Sequence, residues 1–361
     1  MTRQLVQVSV LFALLAYACA TPTVCTKPVP PSAALHPPCF VSDTISLGAQ
    51  AYLKTHHATP RAPWNDKAAA KREIAAYSAA LAPQSAAAAA QFLQDIRNET
   101  MGGVPVTIGT PRGMKQQNAD KIIVFAHAGA FLKGSCHTMW HHTAMTAYLA
   151  GVKVLCFEYS LTSEATFPTQ LNEALAVYKA LISNNRYKPK NIALWGASAG
   201  GGLVPALLMQ AQQQKLPLPA ALLLMSPWGD MTKSGDTMTT LNGYDPMLQY
   251  ELTLQQPAMA YVNGDAKLLQ DVRVSPLKAG IEAFKKFPPT LTQIGLRDSF
   301  LSQAIMMHRK LRAAGVDASF SPWEGMWHIF QGENQLPEAQ EAHRENAAFL
   351  VKHLKLAARS E

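Results

Sequence analysis

Between residues 121 and 323, short and continuously apolar runs alternate with helix-forming runs, and this alternation limits the possible folds more than any other feature of the chain. The runs at 121–127, 152–158, 192–196, 220–225, 290–295 and 316–323 read as strands, and those at 139–150, 168–184, 199–214 and 301–314, with a last one from Pro337, read as helices. A strand that is apolar at every position, rather than at every second one, must be covered on both faces. Strands of this kind separated by helices predict an α/β fold: a mostly parallel sheet with helices on both sides. No repeat with a period of 20–50 residues points to a solenoid.

Composition agrees with a packed core. Of the 361 residues 48% are hydrophobic and 16% charged, which excludes disorder as the main state. Lys and Arg number 32 and Asp and Glu 24, giving a net charge of +8. The basic residues are scattered in small groups such as Lys71-Arg72, Lys285-Lys286 and Arg309-Lys310, so no run marks a nucleic-acid partner.

The first twenty residues read as a processing signal. Arg3 precedes an apolar stretch from Val8 to Leu15, and Ala18-Cys19-Ala20 gives the small-residue ending of a secretory signal peptide cleaved after Ala20. The stretch is too short to span a bilayer, so a secreted protein without stable membrane insertion is expected. A lipoprotein signal at Cys19 ranks second, because Ala16 stands where such signals usually carry a larger aliphatic residue. Secretion makes disulfides possible. Cys25 and Cys39 bracket a proline-rich loop and are a candidate pair, whereas Cys136 and Cys156, in a loop and a buried strand, fit a free or a bridged state equally well. Asn98-Glu99-Thr100 is a glycosylation sequon, meaningful only in a host that glycosylates its secreted proteins.

Six prolines between residues 21 and 42 keep that segment extended. The alanine-rich region from 66 to about 96 reads as helix broken at Pro83, and its thin apolar stripe suits a cover better than a core. Residues 21–103 are therefore expected to form a proline-rich segment and helical cap, and residues 104–361 the main α/β domain, with a loosely patterned insertion near 230–285.

Gly196-Ala197-Ser198-Ala199-Gly200 matches G-x-S-x-G and lies between an apolar strand and a helix. That context suits a nucleophile elbow, whose glycines permit a turn sharp enough to expose the serine hydroxyl. A serine nucleophile needs a base further along the chain. Of the four histidines after Ser198, His308, His343 and His353 fall in helical stretches, leaving His328 in a loop after the last strand. The acid is harder to place, because ten carboxylates lie between Ser198 and His328. Catalytic groups in such sheets sit beyond the C-terminal ends of strands, which singles out Asp298 and a rival, Asp230. Asp236, Asp245, Glu251, Asp265 and Asp271 fall in the irregular insertion.

From about residue 104 onward the chain resembles the hormone-sensitive-lipase-like branch of the α/β-hydrolases, which includes bacterial esterases and arylacetamide deacetylases. His127-Ala128-Gly129-Ala130-Phe131 looks like the HGGG oxyanion motif, and Glu158-Tyr159-Ser160-Leu161 through Phe167-Pro168 like the Y-R-L-A-P-E-x-x-F-P segment. Gly196–Gly200 matches the elbow, and Ser226-Pro227-Trp228-Gly229-Asp230 the S-P-W-x-D strand end. The resemblance implies an α/β-hydrolase fold with a helical cap that includes the insertion. It also implies a Ser198, His328 and Asp298 triad, oxyanion donors at the N–H groups of Gly129, Ala130 and Ala199, and no cofactor or metal. In the family the acid lies in the segment matching Arg297-Asp298, and the aspartate after S-P-W is structural.

The sequence departs from the family pattern twice. Ala128 stands in place of a glycine, narrowing the loop's conformational range, and Ala197 replaces a polar residue before the serine. His127 is expected to brace the oxyanion loop rather than move protons. His137 and His141 stand four apart, as metal ligands on a helix do, but without H-E-x-x-H a solvated or loosely packed cluster with His142 is expected. The implied activity is a secreted serine carboxylesterase acting on short-to-medium acyl esters. The alternatives are a lipase, an arylacetamide-type deacetylase and a non-catalytic small-molecule receptor of the same fold.

Overall fold

The computed structural model describes residues 41–183 and 186–357, all within one compact unit spanning His36–Glu361. The expected signal peptide and both Cys25 and Cys39 lie outside the described residues.

Eight strands form one sheet in the order β1-β2-β4-β3-β5-β6-β7-β8. They are β1 (Leu93–Met101), β2 (Val104–Pro111), β3 (Ile122–Ala126), β4 (Lys153–Phe157), β5 (Ile192–Ala197), β6 (Ala221–Met225), β7 (Thr290–Gly295) and β8 (Ala318–Trp323). From β4 across to β8 every neighbouring pair is parallel, as the unbroken apolar runs predicted, while β1 and β2 form an antiparallel hairpin at one edge. The boundary expected at residue 104 falls at the turn of this hairpin, so the sheet takes in residues that had been read as cap and helix end.

Successive strand residues face opposite sides, and the two cores divide accordingly. Val124, Leu194, Leu222 and Leu224 pack on one side with α4 (Thr169–Ile182), α5 (Ala199–Gln213) and α8 (Leu301–Ala313). Phe125, Trp195, Leu223 and Met225 pack on the other with α3 (Trp140–Ala150) and α9 (Pro337–Leu354). Cys136, ahead of α3, is disulfide-bonded to Cys156 of β4, which resolves the alternative left open by the sequence.

Two segments lie outside the alternation of strands and covering helices. The first holds α1 (Leu47–Thr55) and α2 (Lys67–Phe92). Pro83 does not break α2 as expected. A proline inside a helix removes one N–H and crowds the carbonyl four residues back, but tertiary contacts just beyond it hold this helix. Ser85, two residues on, donates to the His137 carbonyl and accepts from Trp140 N–H, pinning α2 against the start of α3. The second segment is the insertion after β6, with α6 (Thr237–Thr240), a π-helical turn over Tyr250–Leu254 and α7 (Gln255–Tyr261). The two are tied by Arg61 N–H to the Leu252 carbonyl at 2.8 Å and by Trp64 N–H to Gln256 Oε1 at 2.9 Å.

The histidines near α3 overturn one expectation. His137 is exposed, but His141 and His142 are buried beside His343 of α9, whose Nδ1 lies 2.7 Å from Thr146 Oγ1. Among the described residues no cluster of His, Cys, Asp and Glu has metal-binding geometry. Burial disfavours the charged imidazolium and lowers His127, His141 and His343 to about 4, with His142 also well below its ordinary value. These groups stay neutral in the folded chain down to about pH 4, whereas the unfolded chain protonates them from about pH 6.5. The unfolded state thus binds more protons within that window, and stability falls as pH drops, by about 1.4 kcal/mol per pH unit for each histidine. Denaturant midpoints should fall from pH 7 to pH 5, and His141→Gln should flatten the slope. Equal midpoints at the two pH values would contradict this reading.

Candidate active site

Ser198 stands between β5 and α5 with φ 53° and ψ −116°, a conformation that costs a non-glycine residue on the order of 1–3 kcal/mol. Its surroundings hold it there. Its N–H donates to the Met225 carbonyl at 2.9 Å, and its own carbonyl accepts from Trp228 N–H at 2.9 Å. The flanking glycines are required by space rather than by φ. A Cβ on Gly200 would stand 2.0 Å from the Ala126 carbonyl oxygen, and one on Gly196 would stand 2.3 Å from that of Gly200. Ala197, the departure before the serine, is fully buried in the core on the α3 and α9 side, so an apolar contact fills the place of a polar one.

The three residues expected to act together do meet. Ser198 Oγ lies 2.9 Å from His328 Nε2, and His328 Nδ1 lies 3.0 Å from Asp298 Oδ2. All three are buried, at 5%, 2% and 0% exposure. Asp298 follows β7, and its second oxygen accepts from Phe300 N–H at 2.8 Å, which leaves Oδ2 facing the imidazole. His328 lies in the turn after β8. Ile329 beyond it takes φ 48° and donates its N–H to Ser226 Oγ at 3.0 Å. The Phe300 ring meets the imidazole edge-on at 5.1 Å and is itself backed by Trp228.

Asp230, the rival acid, is occupied elsewhere. One oxygen accepts from Thr232 N–H and Oγ1, and the other pairs with Lys278 Nζ at 3.0 Å.

The loop after β3 carries the expected oxyanion residues. Gly129 has φ 122°, and a Cβ there would stand 1.9 Å from the Lys133 carbonyl oxygen, so glycine is obligatory. Ala130 and Phe131 follow at φ 57° and 58°, placing strain in this loop as well. Ala128 is buried and outside the positive-φ region, so replacing glycine there does not restrict the loop as expected. Ala199 opens α5, and a first-turn N–H has no acceptor within its own helix. His127 sits under the loop. Its ring stacks on Tyr159 at 4.0 Å, Nδ1 lies 2.8 Å from the Ala128 carbonyl, and Tyr159 OH donates to the His127 carbonyl at 2.8 Å. With its basicity lowered by burial, His127 is a neutral brace.

One buried group lay outside the expected set. Asp245, grouped by its sequence with the irregular insertion, has 1% exposure. Its oxygens accept from Met247 and Leu248 N–H in the insertion and from Ser299 N–H, next to Asp298. Burial and the neighbouring Asp298 push its carboxyl up to about 7, while the facing His328 and the N–H donors pull the other way. The only sequence signal was the dipeptide Asp245-Pro246, an ordinary turn marker.

Comparison with known proteins agrees with this architecture. The family model described as the alpha/beta hydrolase fold matches residues 123–332. An esterase of Acinetobacter venetianus is 32% identical over 260 residues, covering 70% of this chain and 83% of that protein. An acetyl-hydrolase of Streptomyces hygroscopicus is 28% identical over 69% of this chain and 83% of its own. Among solved structures, an esterase from the bacterial hormone-sensitive lipase family superposes with a TM-score of 0.70 at 31% identity, covering 82% of this chain and 94% of that one. The matched region takes in the elbow, the oxyanion loop and the segments of Asp298 and His328 alike. The chain belongs to the α/β-hydrolase fold family, in its hormone-sensitive-lipase-like branch.

Proposed function

We propose that the protein is a serine carboxylesterase. The observation that carries this reading is the unbroken chain of contacts from Ser198 Oγ to His328 and on to Asp298, in a fold whose relatives are named esterases and acetyl-hydrolases. Ser198 attacks the ester carbonyl while His328 Nε2 takes its proton. The N–H groups of Gly129, Ala130 and Ala199 receive the developing oxyanion. Collapse of the tetrahedral intermediate expels the alcohol, protonated by His328, and leaves an acyl-enzyme. Water activated by the same imidazole then releases the acid. Asp298 fixes the tautomer that leaves Nε2 free to accept and stabilises the imidazolium.

Short-to-medium acyl chains suit a site closed over by two cap segments. Hydrolysis of butyrate esters should therefore exceed that of palmitate esters, and the reverse order would favour a lipase. The intact histidine favours an enzyme over a receptor of the same fold.

Ser198→Ala should abolish covalent labelling by a fluorophosphonate while leaving the fold intact. Full labelling of that variant would sink the nucleophile assignment. Asp298→Asn should lower kcat by something on the order of 10⁴, because the imidazole then favours the wrong tautomer. Asp230→Asn should keep far more activity, since its partners are Thr232 and Lys278. Comparable losses in the two aspartate variants would reopen the choice of acid.

Export is part of the same proposal. It is supported by the Arg3 to Ala20 pattern and by a disulfide between Cys136 and Cys156, a bond that persists in oxidising compartments. N-terminal sequencing of the secreted protein should give a chain beginning near Thr21. A retained Met1 would contradict cleavage, and a lipid on Cys19 would replace the soluble form with an anchored one.

A further inference from the structure

A cavity of about 380 Å³ lies between the cap and the oxyanion loop, lined among others by Tyr52, Arg61, Glu73, Tyr77, Lys133 and Met247. Three of its lining residues are joined to segments that carry the site. Tyr52 stacks at 4.1 Å on Trp327, the residue before His328. Met247 follows the Asp245 turn that is tied to Ser299. Lys133 closes the oxyanion loop, its N–H donating to the Gly129 carbonyl at 3.0 Å.

Lys133 is an unusual residue for such a wall. It has 7% exposure, and its ammonium stands 4.2 Å above the Tyr77 ring and 3.3 Å from Glu73 Oε1. Arg61 claims the same oxygen at 2.6 Å. Two cations thus share one carboxylate, leaving one positive charge in excess within a partly desolvated cavity. Two further carboxyls face Tyr52: Glu333, which accepts from Gln335 Nε2, and Asp245, which spends both oxygens on backbone N–H groups. Burial, and the adjacent Arg61, lower the Lys133 ammonium to about 8 against the pull of Glu73. An anion entering the cavity would relieve that cost, because a buried charge is tolerated when it is paired.

Resting on the esterase reading, we propose that this cavity binds a carboxylate-bearing part of the substrate, and that Lys133 is the residue that selects it. The preferred substrates are half-esters or carboxylated esters, whose charged end reaches Lys133 while the carbonyl lies at Ser198. Arg61 and Glu73 hold the ammonium in place, and the Tyr52 and Tyr77 rings contact the apolar spacer. Because Glu73 competes with the ligand for Lys133, its neutral variant should strengthen the preference.

Two matched pairs test this. 4-Acetoxybenzoate is compared with 4-acetoxybenzamide, which puts the charge on the alcohol side, and monoethyl adipate with ethyl 6-amino-6-oxohexanoate, which puts it on the acyl side. In at least one pair the acid should exceed its amide in kcat/KM by about tenfold, chiefly through KM. Lys133→Gln should bring that ratio close to one, Lys133→Arg should retain most of it, and Glu73→Gln should raise it. Each ratio is internal to one variant, so a general loss of rate or folded fraction cancels. Acids turned over no faster than amides in both pairs, or a preference that survives Lys133→Gln, would overturn the proposal while leaving the esterase reading intact. Absence of Ser198-dependent hydrolysis of all four compounds would overturn the esterase reading and this one with it.

Discussion

At the Ser198 elbow, backbone touches backbone with no side chain between. β3 and β5 are neighbours with Ala126 opposite Gly196, and the helix leaving β5 must turn back immediately over the end of β3. That is possible only because Gly200 brings bare backbone against the Ala126 carbonyl. The consequence extends beyond the turn. The loop carrying Gly129 and Ala130 leaves β3 within three residues of the same contact. The sheet thereby puts the proposed nucleophile and the proposed oxyanion donors side by side before any side chain is chosen. The strain at Ser198, Ala130 and Phe131 is tolerated because the strand ends on either side are fully buried and hydrogen-bonded.

Two loops from distant parts of the chain converge on that point, and each is held by a different kind of contact. The His328 turn is gripped by Ser226 Oγ and by α1, whose Leu53 packs with Trp327 and Phe330. The Asp298 loop is held by its own Phe300 N–H and, through Ser299, by Asp245. Asp245 belongs to the insertion after β6, so that insertion and the Asp298 loop are not independent. A shift of the insertion must either carry Ser299 with it or leave a buried carboxylate short of a donor, and an unpartnered buried acceptor is costly. The insertion therefore braces the Asp298 loop.

The parallel strands were legible because burial on both faces demands apolar residues at every position, and runs of only five or six residues alternating with longer helical ones are too short to be helices themselves. β1 was not. Leu93–Met101 lies at the sheet edge with mostly polar, exposed residues, so it carries neither an apolar run nor a clean alternation. Pro83 misled for a related reason, since helix-breaking is a local rule and α2 is held by contacts to α3 that sequence spacing does not reveal. Ser198 and His328 could be found from residue type and position alone. Choosing Asp298 over Asp230 needed family resemblance, because both follow strands and only the fold shows that Lys278 already occupies Asp230. The buried histidines and Asp245 were invisible, since burial of a polar residue is decided by what packs over it.

The oxyanion loop also bears on how specificity can change in this protein. Leu132 and Lys133 both donate their N–H groups to the Gly129 carbonyl, closing one tight turn. A Cβ at Gly129 would collide with the Lys133 carbonyl, so the turn has no slack at either end. The backbone that carries the proposed Gly129 and Ala130 donors therefore also fixes where the side chain of residue 133 begins. Moving that backbone to reshape the cavity would misdirect the amides, and a misplacement of about 1 Å in such a site can cost on the order of a hundredfold in rate. The side chain at 133 is free of that constraint, because it enters the cavity from a turn that its own identity does not shape. Charge in the cavity can thus be set by one side chain, together with its partners Glu73 on α2 and Arg61 just before that helix, without disturbing the geometry proposed for the chemistry.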